Sequence, residues 1–178
     1  MKIYTKTGDD GNTGLQGNFR RAKSHPRIIS YGTVDEANAA LGMVLTNSLD
    51  DDITKILTDI QNDLFLVGAD LSNSNLNDSK NRVTLDMVER LERHIDKFEL
   101  ELSPLKNFIL PGGDIAAAQL HYTRTVVRRA ETLMVQLSEK EEINSNCIKY
   151  LNRLSDLFFV IGRLINKRKD IDDILWKT

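Results

Sequence analysis

The sequence is poor in the residues that most often announce a function. Its single cysteine, Cys147, excludes an intrachain disulfide, suits a reducing compartment, and leaves no cysteine pair for a zinc site. Histidine is scarce, and none of His25, His94 or His121 has a glutamate three residues before it. The Glu-x-x-His pairs of a di-iron bundle are therefore missing. There is no G-x-S-x-G nucleophile elbow, and Cys147 beside Ile148 reads as packing rather than as a nucleophile. A formal net charge of -2 gives no overall reason to bind nucleic acid or an anionic membrane. Arg20, Arg21 and Lys23 could touch RNA, but without interleaved aromatics a solvated loop is the commoner use. No run reaches the roughly 18 apolar residues of a membrane span. Met1 to Thr5 lacks the apolar core of a signal peptide, so the cytoplasm is the expected location.

What is present is helical period. A chain of 178 residues, 40% hydrophobic, can bury one core, and we expect one domain over 1–178 with residues 1–33 as a Gly-rich lead-in. Thr33-Val34-Asp35-Glu36 fits a capping box, which predicts that helix one starts there and continues through Ala37, Ala40, Leu41 and Val44. A second helix follows Asp50 to Asp52, with Ile53, Ile56, Leu57, Ile60, Leu64, Val67 and Leu71 on one face. Residues 72–81, SNSNLNDSKN, predict a mobile surface connection. A half-exposed third helix begins near Thr84, and Pro104, Pro111 and Gly112-Gly113 interrupt the pattern after it. Asp114 can cap a fourth helix from Ile115 to about Leu137, small on one side at Ala116, Ala117 and Ala118. The fifth, from about Asn146 to Lys167, is apolar over so wide a face that it should be central. Ile3-Tyr4-Thr5 is too short an extended stretch to change the class. The expected fold is an all-α five-helix bundle behind a Gly-rich N-terminal loop.

Polar stripes cross these apolar helices. Arg124, Arg128 and Glu131 share a face of the fourth helix, and Asn152, Asp156 and Arg163 share one on the fifth. Charges on a core helix must be paired or face a cavity, because breaking a buried pair costs about 3–5 kcal/mol. They form either an ion-pair network between helices or subunits, or a polar site. Arg124, Arg128 and Arg129 within HYTRTVVRRAE favour a polyanion, since guanidinium groups bind phosphate oxygens bidentately. A triphosphate meets that demand. TKTGDDGNTG, residues 5–14, supplies a second set: Gly8, Gly11 and Gly14 allow close backbone approach, Lys6 is a point charge, and Thr5, Thr7 and Thr13 offer hydroxyls to phosphate or a hydrated metal ion. It lacks the GK[ST] ending of a P-loop, so it would be a different cradle or an ordinary turn.

Four motifs in order, YTKTGDDGNTGL, YGTVDEANAALG, FILPGG with LHYTRTVVRRAE, and YLNRLSDLFFVIGRLIN, closely resemble the PduO-type ATP:cob(I)alamin adenosyltransferases. The Ser/Asn loop and the third helix fall outside them. The resemblance implies a homotrimer of five-helix bundles with active sites between neighbouring subunits. It implies transfer of the 5′-deoxyadenosyl group of ATP to cob(I)alamin, giving adenosylcobalamin and inorganic triphosphate with Mg2+ assisting. By motif, Thr5, Lys6, Thr7, Gly8, Thr13, Gly14 and Lys23 would wrap ATP, and Arg128, Arg129, Ala130, Glu131, Thr132 and Asn152 would complete its site. Lys6 and Arg128 would stabilise the leaving triphosphate. Asp35 would pair with Arg124 across the subunit boundary, and Phe108 would exclude the lower axial ligand of the corrinoid. A flavin-dependent reductase and an adenosylcobalamin-dependent acceptor enzyme are the partners the resemblance suggests. Ile29, Asn18 and Thr132 stand where the family commonly has Glu, Gly and Arg. A non-catalytic ATP-binding trimeric sensor or adenosylcobalamin carrier is the alternative, and the intact Lys6, Arg124, Arg128, Asn152 and Phe108 argue against it.

Overall fold

The computed structural model describes residues 2–17 and 19–177; Asn18, one of the departures from the family pattern, lies outside them. Five helices run α1 Pro26–Val44, α2 Asp51–Ser72, α3 Leu85–Glu99, α4 Ile115–Ser138 and α5 Ser145–Arg168. Two start on predicted or recognisable caps. The Asp114 carboxylate accepts from the Ala116 N–H at 2.8 Å, and Asn144 Oδ1 accepts from the Asn146 N–H at 3.1 Å.

The first helix begins earlier than Thr33. Pro26 occupies the first turn, where its fixed φ and missing N–H carry no penalty, and His25 Nδ1 accepts from the Arg27 N–H at 3.2 Å. Thr33 lies buried within the helix, its hydroxyl donating to the Ile29 carbonyl at 2.9 Å, and Glu36 pairs with Arg129 rather than closing a capping box. The early turns bury Arg27, Ser30 and Thr33. Polar residues on the inward face erase the apolar period that sequence reading relies on.

Helix α1 packs on α2 and α4, while α5 packs on α2, α3 and α4. The α1/α4 pair is antiparallel: Asn47 Nδ2 donates to Gln119 Oε1 at 2.7 Å at one end, and Ser30 Oγ donates to the Leu133 carbonyl at 3.2 Å toward the other. Tyr150, Leu154, Leu157, Phe158 and Ile161 are wholly buried, so α5 is central as its breadth of apolarity requires.

Two structures outside the helices position surfaces. Residues Asn12–Gly14 and Arg20–Ala22 form an antiparallel hairpin too short to leave a period in the sequence. It joins the bundle where the Gln16 N–H donates to the Ser72 carbonyl at 3.2 Å. At the other end, the tail crosses the segment before α4, with Trp176 N–H donating to the Phe108 carbonyl at 2.8 Å and Leu110 N–H to that of Ile174 at 2.7 Å. The PGG turn there is pinned by Asn166, which accepts from Asp114 N–H at 2.9 Å and donates to the Gly112 carbonyl at 3.0 Å. Gly113 has φ 97°, and a Cβ there would stand 2.3 Å from Asn166 Oδ1, so only glycine fits. The Ser/Asn connection is also held: buried Asp70 accepts from Val83 N–H at 2.8 Å, from Asn144 Nδ2 at 2.7 Å, and from Arg82.

Candidate functional site

The Gly-rich lead-in folds into a small cationic cradle. The Thr5 and Thr7 hydroxyls are 2.8 Å apart, and Lys6 between them holds a left-handed φ of 61° with its ammonium 5.8 Å from the centre of the Tyr4 ring. Gly11, at φ 82°, turns the chain so that its N–H meets the Gly8 carbonyl at 3.2 Å and its carbonyl accepts from Lys23 N–H at 2.8 Å. Lys23 thereby lies over Gly8, where a Cβ would come within 3.4 Å of Nζ. Arg20 ties down the Thr7 carbonyl, and Asp10 is held below the ordinary carboxylate range by hydrogen bonds from Asn12. Thr13 and Gly14 sit on the adjoining strand. The structure therefore collects Thr5, Lys6, Thr7, Gly8, Thr13, Gly14 and Lys23 in one loop.

A second cluster lies on α4 and α5. A surface hollow of about 360 Å³ is lined by Arg128, Arg129, Glu131, Thr132 and Val135. The Thr132 hydroxyl donates to the Arg128 carbonyl at 3.0 Å, and Asn152 Nδ2 donates to Glu131 Oε1 at 2.8 Å. Arg129 is paired with Glu36, so its charge is partly answered within the chain. Ala130 has no exposed surface, so its methyl belongs to the core and cannot meet a ligand. Lys6, Lys23 and Arg128 make no ion pair among the described residues. Their charges remain available to an anion.

One sequence expectation needs refinement, and two sets of residues are not joined within the chain. The α5 stripe divides: Asp156 stays near Arg153, at 3.9 Å, whereas buried Arg163 turns to the tail, donating to Asp173 at 2.8 Å and to the Ser103 carbonyl at 3.0 Å. Arg124 and Asp35 do not meet within the chain. Asp35 is exposed, while Arg124 is half buried with an Nε that has no acceptor among the described residues, and burial with Arg128 nearby pushes its pKa down. No hydrogen bond or ion pair among the described residues joins the N-terminal cradle to Arg128–Thr132. The two halves of the candidate site are not bonded to each other within one chain.

Phe108 is 78% exposed beside the tail, its ring edge-on to Trp176 at 6.3 Å. A cleft of about 780 Å³ lies next to it and is lined by Lys106, Arg163, Asp173 and Leu175 among others. The tail leaves little trace in the sequence, because apart from the Phe108–Trp176 ring contact it is tied to 108–110 by backbone bonds, which leave no pattern in side-chain type. The departures Ile29 and Thr132 are both exposed, and the Ser30 to Leu133 bond puts them at one level of the α1/α4 pair.

Comparison with known proteins bears on the family of the chain. The family described as Cobalamin adenosyltransferase matches residues 3–165. A corrinoid adenosyltransferase of Bacillus subtilis is 44% identical over 179 residues, covering 98% of this chain and 91% of that one. The corrinoid adenosyltransferase PduO of Salmonella typhimurium is 40% identical over 165 residues, covering 92% of this chain and 49% of its own length. Among solved structures, a phenylalanine-to-alanine variant of the PduO-type ATP:corrinoid adenosyltransferase from Lactobacillus reuteri, complexed with cobalamin and ATP, superposes with a TM-score of 0.93 at 37% identity, covering 99% of this chain and 100% of that one. An arginine-to-lysine variant of that enzyme complexed with ATP gives a TM-score of 0.92 at 36% identity, covering 98% of this chain and 100% of that one. With a family match spanning most of its length and relatives this similar end to end, the chain belongs to the cobalamin adenosyltransferase family.

Proposed function

We propose that this protein transfers the 5′-deoxyadenosyl group of ATP to cob(I)alamin, in sites completed between the subunits of a homotrimer. The observation that carries the reading is the set of unanswered cations, Lys6, Lys23 and Arg128, held on two half-sites that do not meet within one chain. A triphosphate bridging a cradle on one subunit and α4 of the next would answer all three. Thr5, Thr7, Thr13 and the glycine backbone surround the phosphates in this reading. Arg129, Glu131, Thr132 and Asn152 line the rest.

In the reaction the cobalt electron pair attacks the ribose 5′ carbon, a cobalt–carbon bond forms, and the carbon–oxygen bond to triphosphate breaks. Cobalt passes from the +1 to the +3 state, and the electrons of the broken bond leave on triphosphate. Lys6 and Arg128 act where negative charge grows, which makes their contribution larger in the transition state than in the ground state. Mg2+ would enter on the triphosphate, since no group of three metal-ligating His, Cys, Asp or Glu residues occurs among the described residues. Threonine hydroxyls of the cradle suit its hydration shell. Phe108, exposed and braced by Trp176, presents the apolar surface that would exclude a lower axial ligand.

Among the described residues no helix is long and apolar enough to cross a membrane. We place the enzyme in the cytoplasm, taking reduced corrinoid from a flavin-dependent reductase and passing product to an adenosylcobalamin-dependent acceptor enzyme. The test is an absorbance assay with ATP and chemically reduced cobalamin, scoring adenosylcobalamin and triphosphate together. Arg128→Ala should lower kcat by about 100-fold or more while the helical circular dichroism stays unchanged. ATP binding without product from the unaltered protein would instead support the sensor or carrier reading.

A further inference from the structure

A chain of polar contacts reaches the candidate nucleotide site from α3, a helix outside the four motifs. Glu92 Oε1 accepts from Arg153 Nε at 2.7 Å, Arg153 Nη1 donates to Asn152 Oδ1 at 3.0 Å, and Asn152 Nδ2 donates to Glu131 Oε1 at 2.8 Å. Three helices, α3, α5 and α4, are thereby linked in order.

The directions of these bonds decide what the chain does. The two ends of an amide are nearly equal in size, so its orientation follows from its neighbours. A guanidinium only donates and a carboxylate only accepts. Arg153 therefore holds the Asn152 oxygen on its own side and leaves the NH2 for Glu131; the flipped amide would face oxygen to carboxylate and NH2 to guanidinium. Arg153 meets both neighbours through different nitrogens of one rigid fork, an arrangement that a lysine ammonium cannot reproduce. We infer that Arg153, braced by Glu92, is a positioning residue that fixes the Asn152 amide and, through it, the Glu131 carboxylate for binding ATP. The inference rests on the ATP reading of this site, to which neither Arg153 nor Glu92 was assigned.

A merely structural pair predicts something different. The Glu92 and Arg153 side chains are 44% and 36% exposed, so their ion pair contributes little to folding. The test measures ATP affinity by titration calorimetry, together with KM for each substrate and kcat. Arg153→Ala should raise Kd and KM for ATP about tenfold, with KM for cob(I)alamin within about twofold and the thermal midpoint nearly unchanged. Glu92→Gln should move ATP affinity in the same direction by less, and Arg153→Lys should fail to restore it. In an Asn152→Ala background Arg153→Ala should cost no more than about twofold further, because its route of action has been removed. Additive losses, or equal changes for both substrates, overturn the inference while leaving the enzyme reading intact. An unaltered protein that binds no ATP overturns both. Should Arg153→Ala fail to fold, Glu92→Gln and Arg153→Lys still decide the matter.

Discussion

His121 illustrates how a single buried side chain can govern behaviour far from any ligand. It lies between α4 and α5, edge-on to Phe159 at 5.9 Å, and packed so closely that a Cβ on Gly162 would stand 3.1 Å from its Nε2. Its Nδ1 is buried without a hydrogen-bond partner among the described residues. Burial pushes its pKa down, Arg124 adds to that, and Asp173 opposes it. The folded chain therefore holds fewer protons than the unfolded one around and below the ordinary imidazole pKa of about 6.5, so stability falls as pH falls through that value. The thermal midpoint should drop between pH 7.5 and 5.5, a window above the titration of ordinary carboxylates. His121→Gln should flatten that slope without abolishing it, since half-buried His94 is shifted the same way, again chiefly by burial. An unchanged slope in the variant would remove His121 from the account. This residue was invisible to sequence reading for the same reason that Arg163 was misplaced. Helical arithmetic gives the face of a side chain but not its height, and Arg163 stands eleven residues, or about 16 Å, along α5 from Asn152.

At the scale of elements, helices α2 to α5 were legible because apolar residues recur at threes and fours and because Asp114 and Thr84 mark starts. The beginning of α1 was not, because its inward face is polar: Arg27 donates to the Leu71 carbonyl at 2.8 Å and pairs with Glu141 at 2.8 Å, partners that are distant in sequence. The N-terminal cradle was legible as chemistry though not as a hairpin. Its attachment is slight: a three-residue antiparallel ladder, the Gln16 bond to Ser72, and residues mostly exposed. Segments with few buried contacts open at low free-energy cost, and a ligand that binds only the closed form suppresses that opening. Lys6, Arg20, Arg21 and Lys23 are trypsin sites within this element. Saturating ATP with Mg2+ should slow cleavage there several-fold, at 100 times Kd by up to about 100-fold, while cutting elsewhere is unaffected. Equal cleavage rates with and without ATP would mean that the loop does not close over nucleotide.

At the scale of the whole molecule, one groove pairs an exposed aromatic ring with an unpaired carboxylate. Between α1 and α2 runs a groove of about 440 Å³ lined by Tyr31, Gly32, Asp35, Phe65, Gly68 and Ala69, among others. A Cβ on Gly32 or Gly68 would meet nothing within 4 Å, and Phe65 is 70% exposed at its side. Asp35 in this groove and Arg124 on α4 each lack an ion-pair partner among the described residues, and they do not reach one another within the chain. In the proposed trimer Asp35 of each copy meets Arg124 of the next in the same sense, which is a head-to-tail contact, and head-to-tail contacts are finite only when the rotation closes into a ring. Three-fold closure meets that condition and repeats one interface three times. Removing one partner of a desolvated pair costs about 2–5 kcal/mol per interface, most of it from the charge left behind. Asp35→Asn should therefore shift sedimentation at micromolar concentration toward smaller species and lower kcat with it. The exchange of charges, Asp35→Arg with Arg124→Asp, should recover assembly that either change alone loses. A fully assembled, fully active Asp35→Asn protein, or a charge exchange no better than the single changes, would sever the link between assembly and catalysis. If the exchange restores assembly but not turnover, the pair serves assembly alone, and Arg124 acts on the reaction by its own charge.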